Sequence, residues 1–366
     1  MVVTRVSIAI MGAVNEALSA PLWFRGLASI IAYNAQAGSA IVTITPMGLV
    51  WAAAEEAYPL NSGPRTAIRR VRFVLRGLLA RVLIKSWMAP PDENVPGGLM
   101  ASLAERPKMV GVFEWPYLHK DWDANRKFDV IRSHYAELAH LPWLRVAVSD
   151  SRTISELKDV VSGLRIVLDR PGWFIREGEL TLNLFIEDTR IYSLSFTLGQ
   201  ESGKRIAYVG AIQGRSIESI ETIYRDLTKK LHGARPRDFL FASFQMLCSA
   251  AMIERVLGVS EKCRHHQHPH FGKKTEVTHS ANYDEIWRDR GGTPMADGFY
   301  ELPAAYASRS DFDIPTKKRS MYRKRYELMD RIKDDVVTFS THFGAGPVDK
   351  SIGTLSNRAS ILNPTT

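Results

Sequence analysis

Four groups of residues in this 366-residue chain have types and spacings suited to chemistry. The first is the string Leu231-His232-Gly233-Ala234-Arg235-Pro236, which falls between two helical patterns. His232 titrates near neutral pH and can donate, accept or shuttle a proton, as an acyl or phosphoryl acceptor site requires. The free amides at the start of the second helix gather partial positive charge, and Arg235 and Arg237 add to it. With Gln213 and Gly214 they form a candidate anion- or cofactor-binding site. The same string also fits a plain helix-to-helix turn, with Gly233 as a left-handed cap, Pro236 at the first helical position and His232 capping carbonyls. Glu177 and Glu179, at the entrance to a run of strands, are the nearest general-base candidates by topology, although strand-end glutamates are most often merely solvated.

The second group is histidine-rich: Cys263, His265, His266, His268 and His270, with His279 beyond. A structural zinc site wants about four thiolate or imidazole ligands in tetrahedral array. CxxC pairs are absent, so Cys263/His266/His268/His270 is only an ad hoc set; the segment reads as an exposed polar loop, and no metal is assigned. No Walker loop, Rossmann glycine fingerprint, H-E-x-x-H or G-x-S-x-G is present, which removes the best-marked catalytic chemistries.

The remaining two groups are cationic. Arg65, Arg69, Arg70, Arg72, Arg76, Arg81 and Lys85 follow one another without an acidic residue, while Ile68, Val71, Leu75, Leu78, Leu79, Val82 and Leu83 recur at steps of three and four. This predicts a basic amphipathic helix, in which Gly77 weakens the helix modestly. It can lie on anionic headgroups through Arg69, Arg72 and Arg76, or turn its apolar face to the core as an ordinary domain helix. Lys317, Lys318, Arg319, Arg323, Lys324 and Arg325, interleaved with Tyr322 and Tyr326, form a second basic surface suited to anions or lipid headgroups. Without a nucleic-acid-binding fold motif, nucleic acid is not the partner expected there.

The elements that must hold these groups are mixed. A helix is predicted from Asp123 to Leu141, where Pro142 ends it. Short strands follow at 165–168 and 172–176, then strands with one apolar face at 180–186 and 191–198, and a strand apolar on both faces at 205–212, read as central. Helices at 219–231, 238–254 and 283–290 and strands at 255–260 and 298–302 complete an α+β, mixed α/β fold: an antiparallel-to-mixed sheet with inserted helices. Pro90, Pro91, Pro96, Gly97 and Gly98 mark a linker. This separates a mainly helical extension (1–100) from an α/β domain (105–335) and a flexible tail (336–366). The apolar run 6–14 is a poor copy of a signal peptide, and the uncharged stretch 26–54 is too polar to span a membrane, reading instead as a buried helix plus a strand at 40–45.

Composition sets the outer bounds. With 45% hydrophobic and 24% charged residues the chain is globular, and two cysteines suit a reducing compartment. A net charge of +9 favours anionic partners, whether membrane surfaces, nucleic acid, phosphorylated ligands or acidic proteins, without choosing among them.

In order, Gly210-Ala211-Ile212-Gln213-Gly214, Leu231 to Pro236, Gly258-Val259-Ser260, Tyr283-Asp284 with Trp287, Gly291-Gly292, Leu302-Pro303 and Lys317-Lys318-Arg319 with Tyr322 to Tyr326 form a succession that resembles the VirK/YbjX family of bacterial proteins. It covers roughly residues 113–332. The resemblance implies a cytoplasmic Gram-negative protein associated with virulence, envelope stress or tolerance of cationic antimicrobial peptides, with no established reaction. Two readings follow. One is a binding or regulatory factor, peripheral at the cytoplasmic face of the inner membrane. The other is an N- or O-acyltransferase, because strand 205–212, helix, strand 255–260, helix and strand 298–302 are similar in order to the second half of the GNAT fold. That reading would bring acyl-CoA or an acyl-carrier thioester as donor, yet Gln213-Gly214-Arg215-Ser216 stops short of the phosphate loop. A deep cleft between strands 205–212 and 255–260 would favour the enzyme; a filled core there would favour the binder.

Overall fold

The computed structural model describes residues 45–59, 62–89, 98–216, 218–272, 282–310, 312 and 314–344. The apolar run 6–14, all but the last residue of the strand read at 40–45, the linker prolines, His279 and the tail beyond 344 lie outside those residues.

Three helices open the described chain: α1 (Pro46–Ala57), α2 (Pro64–Leu79) and α3 (Arg81–Met88). Thr45 starts α1 by accepting a hydrogen bond from Gly48 N at 3.0 Å, with Pro46 in the first turn. The expected basic helix is therefore α2 and α3, broken once at Ala80. Gly77 has a reason beyond helix propensity: a Cβ there would lie 2.4 Å from Val50 Cγ1, so the glycine lets α2 close onto α1. Phe73 packs on Phe113 and Trp115 at ring separations of 4.8 and 5.2 Å, and Trp87 packs on Phe128 at 4.6 Å. These contacts join the helices to one continuous core running from Leu49 to Phe339.

After α4 (Leu99–Glu105) and α5 (Ala124–His140), the chain builds a sheet of eight strands among the described residues: β1 (Ser151–Glu156), β2 (Leu164–Asp169), β3 (Leu180–Ile186), β4 (Thr189–Glu201), β5 (Lys204–Gly214), β6 (Arg255–Val259), β7 (Thr293–Pro294) and β8 (Phe299–Leu302). Their order is β1-β2-β3-β4-β5-β6-β8-β7, antiparallel except for the β5/β6 pair. The mixed sheet and its central β5 agree with the sequence reading. Segment 172–176 differs: Pro171 leads into a 3-10 turn at Gly172–Phe174, and the chain then crosses the sheet face. The crossing is possible because Gly210 is the extra residue of a β5 bulge, and a Cβ on it would fall 2.0 Å from the Glu177 carbonyl.

Helices α6 (Ile220–Lys230), α7 (Pro236–Ala250) and α8 (Tyr283–Arg288) follow β5 and β6, and α9 (Arg319–Gly344) closes the chain. Eleven residues of α7 are buried, from Pro236 through Cys248, because β3 to β5 cover one side and α9 the other. α9 runs on past residue 335, with Val336 and Phe339 buried in the core.

Candidate functional site

The strongest surface feature is the outer side of α2 and α3. Ile68, Val71, Leu75, Leu79 and Val82 are 60, 58, 56, 85 and 72% exposed, and they recur at steps of three and four along one side. The core contact is made instead by Phe73, Gly77, Ile84 and Trp87 on the opposite side. The domain-helix reading, with the aliphatic row facing the core, is thus inverted: aromatics, which bury more area, hold the helices down. Arg65, Arg69, Arg72, Arg81 and Lys85 are exposed beside the aliphatic row. Two other arginines are engaged: Arg70 pairs with Glu55 at 3.7 Å and lies over the Trp51 ring, and Arg76 pairs with Glu114 at 2.5 Å.

The turn after α6 joins the second basic segment. His232 and Gly233 take left-handed φ values of 51° and 78°, Gly233 N donates to Thr228 O, and Pro236 opens α7. The His232 carbonyl accepts two hydrogen bonds from Arg325 of α9, at 3.1 and 2.7 Å. Partial burial, followed by the positive charges of Lys324 and Arg325 on α9, lowers the pKa of the His232 imidazole. Arg235 is exposed at the N-cap of α7 without a side-chain cap bond, and Arg237 lies 3.8 Å from Asp238. Gln213 and Gly214 end β5, paired with Ser193 and Tyr192. Lys317, Lys318 and Arg319 are exposed at the start of α9. The fold therefore brings His232 to the second cationic segment.

The two glutamates go elsewhere. Glu179 is buried in a closed network: its carboxylate accepts from Arg170 at 3.0 Å and from the Tyr135 hydroxyl at 2.8 Å, with Tyr117 bridging to Thr197. Glu177 lies 3.6 Å from Arg264, whose guanidinium sits 3.8 Å over the Tyr283 ring and 3.5 Å from Glu261. One cation serves two carboxylates. Burial pushes Glu177 up to about 7 against the pull of Arg264 and Arg176. Burial also opposes ionisation of Glu261, but His266 and Arg264 outweigh it and hold that carboxyl down to about 2. Neither glutamate is among the charged groups acting on His232, which are Lys324, Arg325 and Glu327.

The space between β5 and β6 is filled. The strands pair only over Ile206–Val209 and Arg255–Gly258. Beyond that, Tyr283 and Trp287 of α8, both buried, enter the splay: Tyr283 Oη accepts from Ile212 N at 3.0 Å, and Trp287 Nε1 donates to Val259 O at 2.8 Å.

In the histidine-rich segment, three short 3-10 turns span Glu261 to Phe271. Cys263 is buried and faces His119 and Asp121. Those two residues drew no attention in the sequence, because their distance along the chain from Cys263 hides the juxtaposition.

Among the described residues no helix is long and apolar enough to cross a membrane. No solved structure matches the chain. Curated relatives do. The protein YbjX of Escherichia coli K12, itself uncharacterised, is 26% identical over 74% of this chain and 82% of its own. An uncharacterised protein of Haemophilus influenzae is 34% identical over 44% of this chain and 52% of its own. A protein of Mannheimia haemolytica called membrane protein LapB is 26% identical over 58% of this chain and 92% of its own. Residues 63–338 match the family described as protein of unknown function DUF535, a span running from α2 into α9 and holding every site described above. The motif succession from Gly210 to Tyr326 and this match agree: the chain belongs to the DUF535 family, with YbjX among its relatives.

Proposed function

We propose that this protein is a binding or regulatory factor that docks on an anionic membrane surface, at the cytoplasmic face of the inner membrane, through α2 and α3. The observation that carries the reading is the exposed aliphatic row Ile68, Val71, Leu75, Leu79 and Val82 with arginines beside it and no acidic residue between Arg65 and Lys85. In water such a row costs free energy; at a bilayer it enters the headgroup and acyl boundary while the guanidinium groups meet phosphates. A second copy of this chain fits the surface poorly, since it would bring like charges together. The name membrane protein LapB, carried by a relative, supports the same direction. The setting we propose for such a factor, from its resemblance to the YbjX family, is virulence, envelope stress or tolerance of cationic peptides.

Acyl transfer is the weaker reading, because Tyr283 and Trp287 occupy the place where a donor's arm would enter between β5 and β6. Flotation of the full chain with anionic and with neutral vesicles tests the docking. Capture by anionic vesicles that falls as salt rises is expected, and equal capture by both would overturn it.

A further inference from the structure

We propose a divalent metal site, suited to zinc, formed by His119, Asp121 and Cys263. One ligand atom from each lies within 4.8 Å of the others. The two loops that carry them are tied together by the main chain: His119 and Arg264 form an antiparallel bridge, and Lys120 N donates to Cys263 O at 2.8 Å. His119 and Cys263 are therefore placed by backbone pairing, and Asp121 reaches the pair from the exposed edge of the turn.

Three further observations point to an ion. His119 is 5% exposed, stacked on Trp122 and Phe299, and its Nε2 has no hydrogen bond of ordinary geometry, only a weak contact with the Asp297 main chain. A buried imidazole nitrogen held only by so weak a contact is under-satisfied and open to a stronger partner. Gly298, at φ +87°, keeps side-chain bulk from between ring and thiol: a Cβ there would fall 2.6 Å from Cys263 Sγ and 2.7 Å from His119 Nε2, so both atoms face the same stretch of bare backbone. Finally, one thiolate, one imidazole and one carboxylate form a donor set that favours zinc over magnesium or calcium, which prefer all-oxygen shells. Water completes the tetrahedron.

The proton balance is simple. Binding forms a sulfur–metal bond and releases the Cys263 thiol proton to solvent. At His119 the Asp121 amide donates to Nδ1 at 3.2 Å, so the ring proton sits on Nε2. Coordination through Nε2 moves that proton to Nδ1, and the Asp121 contact opens as this exposed residue swings its carboxylate to the ion. The bound ion would clamp the turn 117–122 to the histidine-rich segment, whose Phe271 ring lies over Arg176.

The test titrates the metal-free full chain with Co2+ as a spectroscopic stand-in, followed by displacement with Zn2+. A thiolate-to-cobalt charge-transfer band that saturates at one ion per chain and disappears on adding Zn2+ is expected. Cys263→Ser should abolish the band and His119→Gln should weaken binding at least about tenfold, while Cys248→Ala and the pair His268→Gln/His270→Gln leave it unchanged. Absence of the band, its survival in Cys263→Ser, or its loss in the His268/His270 pair would overturn the site; the last result would mean an adventitious ion on the histidine segment. Should neither ligand variant fold, X-ray absorption of the zinc-loaded wild-type chain decides: one sulfur and one imidazole in the shell support the site, and a shell of nitrogen and oxygen only refutes it.

Discussion

Replacing Arg65, Arg69 and Arg72 together by Gln separates the electrostatic from the apolar part of membrane docking. These three are exposed and carry no ion pair among the described residues, whereas Arg70 and Arg76 are held by Glu55 and Glu114. Each basic residue near an anionic surface contributes about 1 kcal/mol, so the triple change removes about 3 kcal/mol, or about a hundredfold in partitioning. The same loss should be reached in the wild type by salt alone as the screening length shrinks from about 10 Å at 0.1 M to about 3 Å at 1 M. The apolar part is read with Leu75→Gln/Leu79→Gln. Full burial of a leucine contributes about 1.5–3 kcal/mol. Shallow insertion of side chains that are 56 and 85% exposed realises about 1 kcal/mol each. This double change should therefore cost about thirtyfold, independent of salt. Both variants should melt within about 0.5 kcal/mol of wild type, since neither set holds the core. Co-sedimentation with vesicles of graded anionic content measures all of this. Wild-type partitioning by the triple variant at low salt, or by the leucine pair, would refute the orientation argued for α2 and α3.

Four further outcomes follow from interior and partly buried groups. Glu179→Gln leaves Arg170 buried without its anion and should destabilise the chain by about 3–5 kcal/mol in denaturant titration. Gly77→Ala should destabilise by about 1–3 kcal/mol despite alanine's better helix propensity, because its Cβ meets Val50, and Val50→Ala in the same chain should recover most of the loss. Glu177 keeps its proton to about 7 in the folded state, so its contribution to stability is fully present below the unfolded carboxyl value near 4.5 and lost as pH rises through 7. The melting temperature of Glu177→Gln should accordingly gain on wild type as pH rises through that window. Glu261, held down to about 2, has the opposite sign: its contribution is present above about 4.5 and lost as pH falls toward 2, so Glu261→Gln should be least stable relative to wild type at neutral pH.

How far the sequence reaches depends on whether the signal is local. The alternation Leu180, Leu182, Leu184, Ile186 placed β3 at 180–186, its observed bounds, and the two-sided apolar run of β5 placed it between neighbours. β1 escaped because Ser-Arg-Thr-Ile-Ser-Glu carries no apolar alternation; its register comes from β2, and Ser155 bonds Asp335 of α9. Trp173, Phe174 and Ile175 look like a strand, but Pro171-Gly172 turns them into a 3-10 step. In α2 the periodicity was legible and the solvent it faces was not: a three- and four-residue step announces an apolar side, while only Phe73, Trp87 and the Gly77–Val50 approach reveal which side is nailed to the core.

The same limit governs chemistry. Glu177 and Glu179 flank one glycine and look equivalent in sequence, yet one closes a network with Arg170 and the other competes with Glu261 for Arg264. Nothing within a few residues of either encodes that split. The motifs that mark the family behave alike: Tyr283 bonds β5, Trp287 bonds β6, Gly210 clears the crossing chain, and His232-Gly233 reverses the backbone between helices. Residues of this kind are fixed by packing, so their ordered succession identifies the fold without identifying a reaction. Chemistry specific to this chain must then be sought where packing leaves a cost unmet: the aliphatic row that α2 and α3 hold in water, and the His119 nitrogen buried beside Cys263 with only a weak main-chain contact.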